Sequence, residues 1–473
     1  MSSTCPVDAA QAHAIVAVPD AAPAGLGVLA CTILASGLAF VDGSVINVGL
    51  PAISTGLRVG TGDLSWVINA YLLPLGALLL LGGAAGDRYG RRNLLILGTG
   101  LFGLSSLLAA VAPNFGWLLA GRGFQGVGAA LLLPNSLAIL GAATSGEARG
   151  RAIGIWAAAG AVMGAVGPVL GGWLIDAVGW RAIFFLTLPA ALAAILLALA
   201  FVKSEDGAGN APPLDAWGGV LATAALGAIT WGLTLGTGPT GWTLIAVFSC
   251  IAGAILALAF FWVEHVRGEE AMMPLSLFGS SSFIGLTLLT WFLYGALGAL
   301  MVLVPYILIV ASGWSGFAAG AALVPFAAVM ALMSPVMGGL AGRFGPRPLL
   351  TLGAFVTSVG FLLLLRLKAP VQYWTDAFPG ILVVAIGMSG AVAPLTTAVL
   401  SAVDARHTGS ASGLNSAVAR IAGTVATALL TGILGATGAR LLHGFAWAMI
   451  ASAAAALAAS ASALFLIRIG KDA

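Results

Sequence analysis

The sequence predicts an all-α integral membrane protein with about fourteen membrane-crossing helices, and three observations carry that expectation. First, 60% of the 473 residues are hydrophobic and only 7% are charged, with a mean hydropathy of +1.07. A soluble domain carries roughly 25% charged residues, so charges this sparse cannot cover a surface in water. Second, the apolar residues come in long runs rather than in strand-like alternation, and roughly 20 such residues span a bilayer as a helix. Third, Lys and Arg gather in alternate loops, as they do where a chain crosses repeatedly.

Taken in order, breaks at charged, Gly or Pro clusters place six spans at about 25–50, 64–85, 93–112, 115–141, 152–176 and 181–202. The polar stretch KSEDGAGNAPPLD, residues 203–215, ends that group. Two further spans, at about 216–236 and 241–263, run up to EHVRGEEAMMP at 264–274. A second group of six follows at about 282–311, 316–340, 348–367, 377–401, 410–436 and 442–467. The expected organisation is a cytoplasmic tail over 1–24, a six-helix half over 25–202, a linker with two extra helices over 203–280, and a second six-helix half over 281–473. Connections are too short to hold an extramembrane domain.

With the N-terminus in the cytoplasm, 12 Lys and Arg residues fall on the cytoplasmic side and 5 on the outer side, while Arg122 and Arg420 lie inside spans. That bias predicts a multi-pass plasma-membrane protein with both termini cytoplasmic. The tail holds Asp8 and Asp20 but no Lys or Arg, unlike the basic start of a cleaved signal peptide, so the first helix is expected to remain as an anchor. A net charge of +3 is no basis for a nucleic-acid partner. Cys5, Cys31 and Cys250 are scattered without disulfide or metal spacing, and the four histidines show none either. There is no GxxxxGK[ST] loop for nucleotide-driven pumping. An enzyme, a metal and a cofactor are therefore not expected.

The chain repeats itself. GGAAGDRYGRR at 82–92 resembles MGGLAGRFGPR at 337–347, which aligns Arg88 with Arg343 and Gly90 with Gly345. GRAIGIW at 150–156 resembles GSASGLN at 409–415 in the same register to within a few residues. Repeats of this kind mark secondary transporters, whose site lies where the repeats meet near the bilayer midplane.

Several ordered motifs resemble the major facilitator superfamily, and within it the fourteen-span drug:proton antiporter branch. GAAGDRYGRR (83–92) is similar to the loop between the family's second and third helices. LLAGRGFQGVGAA (118–130) is similar to its fourth-helix motif, GAVGPVLGG (164–172) to its antiporter fifth-helix motif, and FVDGSVINVGLP (40–51) to the first-helix motif of the fourteen-span branch. WRAIFFLTLP (180–189) and DAWG (215–218) fit that branch as well. The second loop copy departs from the pattern, with Gly342 where the first has Asp87. The resemblance implies the major facilitator fold, two six-helix halves plus two inserted helices, functional as a monomer.

Asp42 stands in the middle of the first apolar run. An Asp at mid-helix lies about 2.5–3.5 kcal/mol uphill and normally faces a bundle interior or a water-filled cavity. Desolvation there disfavours the charged form, and a carboxyl that gains and loses a proton can carry it across. The alternatives are a helix–helix hydrogen bond or a solvated position near the headgroups. Arg122 shares a helical face with Gln125, Gly126 and Ala129, where small residues allow close approach. The resemblance gives it a part in proton coupling; a helix-tying role is the alternative. Arg420 shares a face with Gly413, Ser416, Gly423 and Thr427. With Asn415, Trp66, Asn69 and Asn135 it forms a set of candidate cavity residues, although polar residues in spans also serve as interhelical glue and Trp favours the membrane boundary.

The loop residues Gly83, Asp87, Arg88, Gly90, Arg91 and Arg92 allow a tight turn and fix topology; Asp87 is left to cap a helix or pair across the halves. The resemblance assigns this loop to the cytoplasmic gate. Gly164, Gly167, Pro168, Gly171 and Gly172 strip bulk from one helix face and permit a bend. At the repeat offset Asp42 maps near Leu297 and Arg122 near Leu382, so the coupling charges are confined to the first half. The expected function is proton-coupled antiport that exports small amphipathic compounds by alternating access. Few protons are exchanged, and neutral, anionic or singly charged substrates are preferred over dications. The competing readings are export of one metabolite or self-made antibiotic, an importer, and a non-transporting membrane receptor.

Overall fold

The computed structural model describes residues 25–60, 63–144, 146–203, 214–268, 271–403 and 408–468, so the tail predicted over 1–24 lies outside them. The described residues run back and forth through fourteen helical spans: α1 Leu26–Leu57, α2 Ser65–Tyr89, α3 Arg91–Ala110, α4 Phe115–Ala142, α5 Gly146–Ala177, α6 Ala182–Phe201, α7 Ala216–Thr237, α8 Leu244–Arg267, α9 Ser281–Ser312, α10 Gly316–Phe344, α11 Pro346–Arg366, α12 Tyr373–Val399, α13 Thr408–Leu429 and α14 Gly438–Leu466. Thirteen of these are long and apolar enough to cross a membrane. The other, α13, reads TGSASGLNSAVARIAGTVATAL. Its 22 residues are long enough at about 1.5 Å each. Its polar content fits a helix enclosed by neighbours rather than by lipid. The protein is a multi-pass membrane protein, and the predicted all-helical class holds.

Local chemistry starts several helices. Asn114, Asp215, Thr243, Ser280 and Ser315 each accept a hydrogen bond from a backbone N–H three residues on, satisfying a donor that the first helical turn leaves open. Glycine lets the helices touch. A methyl group on Gly98 of α3 would stand 2.8 Å from the Gly128 carbonyl oxygen of α4, and one on Gly353 of α11 would stand 2.7 Å from the Gly387 carbonyl oxygen of α12. Such backbone approach supplies the dispersion contact that drives association within lipid.

The sequence repeat is also a backbone repeat. Helices α1 and α9 each have 32 residues, and each ends in a left-handed residue, Arg58 at φ 53° and Gly313 at φ 69°. The next reversal is made by Gly90 at φ 93° in the first copy and Gly345 at φ 79° in the second, a conformation that a Cβ disfavours. The inserted helices α7 and α8 pack on each other, and α7 lies against α2 and α13. At their loop end the Asp215 carboxylate accepts from Met272 N and meets Arg267 at 3.3 Å, while Glu264 accepts from Met273 N.

The two ends of the bundle differ. One apolar core joins Val45, Ile46, Leu50 and Ile53 of α1 to Leu300, Leu303 and Ile307 of α9, at the end away from the Arg88–Arg92 loop. Toward the loop, or basic, end the first-half core of Leu38, Leu75, Leu79 and Leu95 takes only Ala417 from the later helices. Helices α2 and α13 stay paired along their length, with Ser65 bonded to Thr431, Leu72 facing Gly423, Gly76 facing Arg420 and Leu80 facing Gly413. Helices α5 and α10 meet at the far end, where Gly172 lies on Gly316 and Gly320 on Pro168. Asp176 there accepts from the N–H groups of Gly316 and Phe317 at 3.0 and 2.8 Å. Nearer the basic end, Gly154 and Gly164 of α5 and Gly338, Gly339 and Gly342 of α10 face open space. The bundle is joined at one end and parted at the other.

The backbone nitrogen of Phe317 lies 2.6 Å from where a Cβ on Gly172 would stand. Gly172→Leu is therefore expected to wedge α5 from α10 at the joined end. In a background lacking the native cysteines, Ile46→Cys, buried at 1% exposure, should become reactive to an impermeant maleimide in the Gly172→Leu protein only. Equal labelling with and without the leucine would show that this contact does not hold the end shut.

Candidate functional site

The first-half core encloses a charged cluster. Asp42 is 1% exposed and Arg122 fully buried, and Arg122 Nη1 donates to Asp42 Oδ2 at 2.5 Å. The same nitrogen donates to Gln125 Oε1 at 3.0 Å, and Nε donates to the Val67 carbonyl at 2.9 Å. The guanidinium lies over the Tyr71 ring, 4.6 Å from its centroid, and the Tyr71 hydroxyl donates to the Ala39 carbonyl. The Gln125 amide donates to Ser106 Oγ at 2.8 Å and, at 3.4 Å, to the second Asp42 oxygen. Four helices, α1 to α4, thus meet at one acid.

Backbone design makes this geometry possible. Gly126 of α4 lies directly on the Tyr71 carbonyl and Pro74 of α2, so that Arg122, one turn before, reaches Val67. Removing one partner of a buried ion pair typically costs about 3–5 kcal/mol, because the other charge is stranded. The cluster is also incompletely satisfied. Arg122 Nη2 is buried with no partner among the described residues. Arg122 also holds the Val67 carbonyl, Gln125 and the Tyr71 face, so the Asp42 carboxylate is one of four groups that meet its guanidinium.

The match to known proteins agrees with this fold. The model of the Major Facilitator Superfamily matches residues 32–293. The chain belongs to the Major Facilitator Superfamily. It is 32% identical over 417 residues to the multidrug resistance protein Stp of Mycobacterium tuberculosis, covering 86% of this chain and 76% of that one. It is 32% identical over 438 residues to the methylenomycin A resistance protein of Bacillus subtilis, covering 90% and 93%. Among solved structures it superposes on a bacterial homologue of the human lysosomal transporter Spinster with a TM-score of 0.65, at 19% identity over 93% of this chain and 96% of that one. As a member of this superfamily the chain is a membrane-embedded secondary transporter of small molecules, not an enzyme.

The remaining residues singled out from the sequence separate into groups. Asn415 and Arg420 lie on α13, at the seam between early and late helices; Asn415 Oδ1 accepts from Thr290 of α9. Trp66 stacks on Trp231 of the inserted α7 at 5.4 Å, and so faces that helix. Asn69, one turn on, is buried with no partner for its amide among the described residues, as are the hydroxyls of Thr230 and Thr234 on α7. Asn135 donates to the carbonyls of Gly82 and Leu131 and ties α4 to α2. In the loop, Asp87 pairs with Arg91 one turn away at 2.9 Å, and Arg92 donates to the Leu199 carbonyl of α6. Gly83 makes an ordinary contact with Pro134; Gly82 and Gly86 make the close ones, to Ala130 and Asn135. In the fifth helix Gly167 lies on Ser44, Gly171 on Val45 and Gly172 on Gly316, whereas Gly164 meets open space.

Sequence reasoning missed Tyr71, Ser106 and the Val67 carbonyl. A Tyr inside an apolar span was a usable signal for the first. No signal exists for a backbone carbonyl, which every residue carries.

Arg122→Leu should lower thermal stability in detergent by the stranded-charge cost of about 3–5 kcal/mol. Adding Asp42→Asn should recover much of that loss, because the uncompensated charge is gone, while transport stays absent. A double variant as unstable as the sum of the singles would mean that the two side chains do not act as a pair.

Proposed function

We propose that the chain is a proton-coupled antiporter in the plasma membrane that exports small amphipathic compounds, working as a monomer with both termini in the cytoplasm. The observation that carries the reading is the buried acid in the middle of α1: Asp42 lies 1% exposed against Arg122, between a parted basic end and a joined far end. With the basic end in the cytoplasm, as the positive-inside bias favours, the cleft takes substrate from the cell interior. The glycine contacts of α5 with α10 keep the outer end shut in this state. Closing the cytoplasmic end and opening the outer one exposes Asp42 to external protons. Protonation removes its charge, weakens the hold on Arg122 and resets the carrier. Asp87 and the arginines beside it form the cytoplasmic gate of the outward-open state; here Asp87 rests on Arg91.

Relatives named as multidrug, methylenomycin A and tetracenomycin C resistance proteins support export of antibiotics or drugs. Two of those names carry one compound each, which favours a second reading, a carrier dedicated to a single antibiotic. A resistance profile across unrelated compounds separates the two.

In energised inverted vesicles carrying a pH-sensitive dye, substrate addition should release protons from the wild type and not from Asp42→Asn at matched expression. Matching responses would make Asp42 structural. No response to any member of an antibiotic and dye panel would count against proton-coupled export of broad range.

A further inference from the structure

Two arginines stand inside the spans of this protein, and their surroundings are opposite. Arg122 is fully buried and held by a carboxylate, an amide, a carbonyl and an aromatic face. Arg420, near the middle of α13, is half-buried, and among the described residues no carboxylate or hydrogen-bond acceptor meets its guanidinium. Its Cβ lies 3.3 Å from where a methyl on Gly76 would sit, which places it on the seam between α2 and α13. One turn toward the parted end, on the same face, Ser416 is exposed within the helix. Arg420 therefore stands at the head of the opening between the two sets of helices.

An ionised side chain at membrane depth normally pairs with another group or with backbone carbonyls. The acid deepest in the bundle, Asp42, is already taken by Arg122. Asp176 is spent on the N–H groups of α10 at the joined end, and Asp215 and Glu264 on the loop end of the α7–α8 pair. Asn415, on the same helix, has its acceptor oxygen engaged by Thr290. Among the described residues the chain thus supplies a cation in the cleft and no anion for it. A planar guanidinium presents two parallel donors matched to a carboxylate or sulfonate.

We propose that Arg420 is the anchor for an acidic group on the cargo, so that the cleft selects amphipathic monoanions over cations of the same shape. The inference rests on the exporter reading above and narrows its substrate class.

The test uses three probes with one apolar body: pyrenebutyrate, pyrenebutanol and pyrenebutyl-trimethylammonium. Binding to the purified full-length protein in nanodiscs is read by energy transfer from tryptophan. The wild type should bind the butyrate about tenfold or more tighter than the ammonium. Arg420→Gln should weaken the butyrate about tenfold and leave the neutral alcohol within about twofold, while Arg420→Lys, which keeps the charge, should retain part of the preference. An ammonium bound as tightly as the butyrate, no measurable butyrate binding, or a Gln variant that loses acid and alcohol alike would overturn the proposal. Proton release in vesicles separates it from the reading beneath it. Asp42-dependent release driven by the ammonium and not by the butyrate leaves export standing and removes the anion preference. Butyrate binding through Arg420 with no proton movement by any probe leaves the site standing and removes proton coupling.

Discussion

The buried ion pair between Asp42 and Arg122 is the constraint around which the first half is organised. Neither charge is tolerable alone at that depth, and each removes the other's penalty only if the helices bring them together. That requirement explains the small residues nearby. Gly126 lets α4 lie on α2 at Tyr71, Gly43 leaves room for the Tyr71 ring beside α1, and Gly128 lets α3 and α4 close behind them. Bulk at these points would move Arg122 away from the Val67 carbonyl and from its acid. The close packing and the charge pair are one solution to the same problem.

Backbone symmetry and chemical asymmetry are combined in this chain. The two copies share helix lengths, left-handed ends and the glycine reversal before α3 and α11. The second copy has Leu297 where the first nears Asp42, and Gly342 where the first has Asp87. A duplicated frame supplies two halves able to rock against each other. Among the described residues one copy holds an acid–base pair and the other a cation without an acid, Arg420. The inserted α7 reinforces the seam, with Thr237 donating to the Ala428 carbonyl of α13 and Trp231 stacked on Trp66 of α2.

The joined end combines two kinds of contact. At the far end the halves meet through the apolar core of α1 and α9 and, among the described residues, through glycine backbones, the Ser65–Thr431 hydroxyl pair and the Asp176 carboxylate on the first turn of α10. Contacts between backbones without side chains can be made and broken with small loss of side-chain freedom. Gly164, in the same motif, meets open space in this arrangement, so the motif is divided between a closed contact and an unused one.

Much of this protein was legible in its sequence. Sparse charge and long apolar runs determined a helical membrane protein, because a bilayer leaves the backbone few alternatives. The loop repeat determined a duplicated architecture, and a charge in an apolar run marked Asp42, Arg122 and Arg420 as costly and therefore purposeful. Composition alone hid α13 from a hydropathy criterion, because a helix surrounded by protein need not be apolar. Tertiary structure alone decided what each polar residue does. Asn135 and Trp66, chosen with Arg420 as cavity candidates, proved to be a helix tie and a stacking partner of the inserted helix. Helical periodicity tells which residues share a face but not which neighbour that face meets. Only the packed bundle could give Arg122 an acid and leave Arg420 without one.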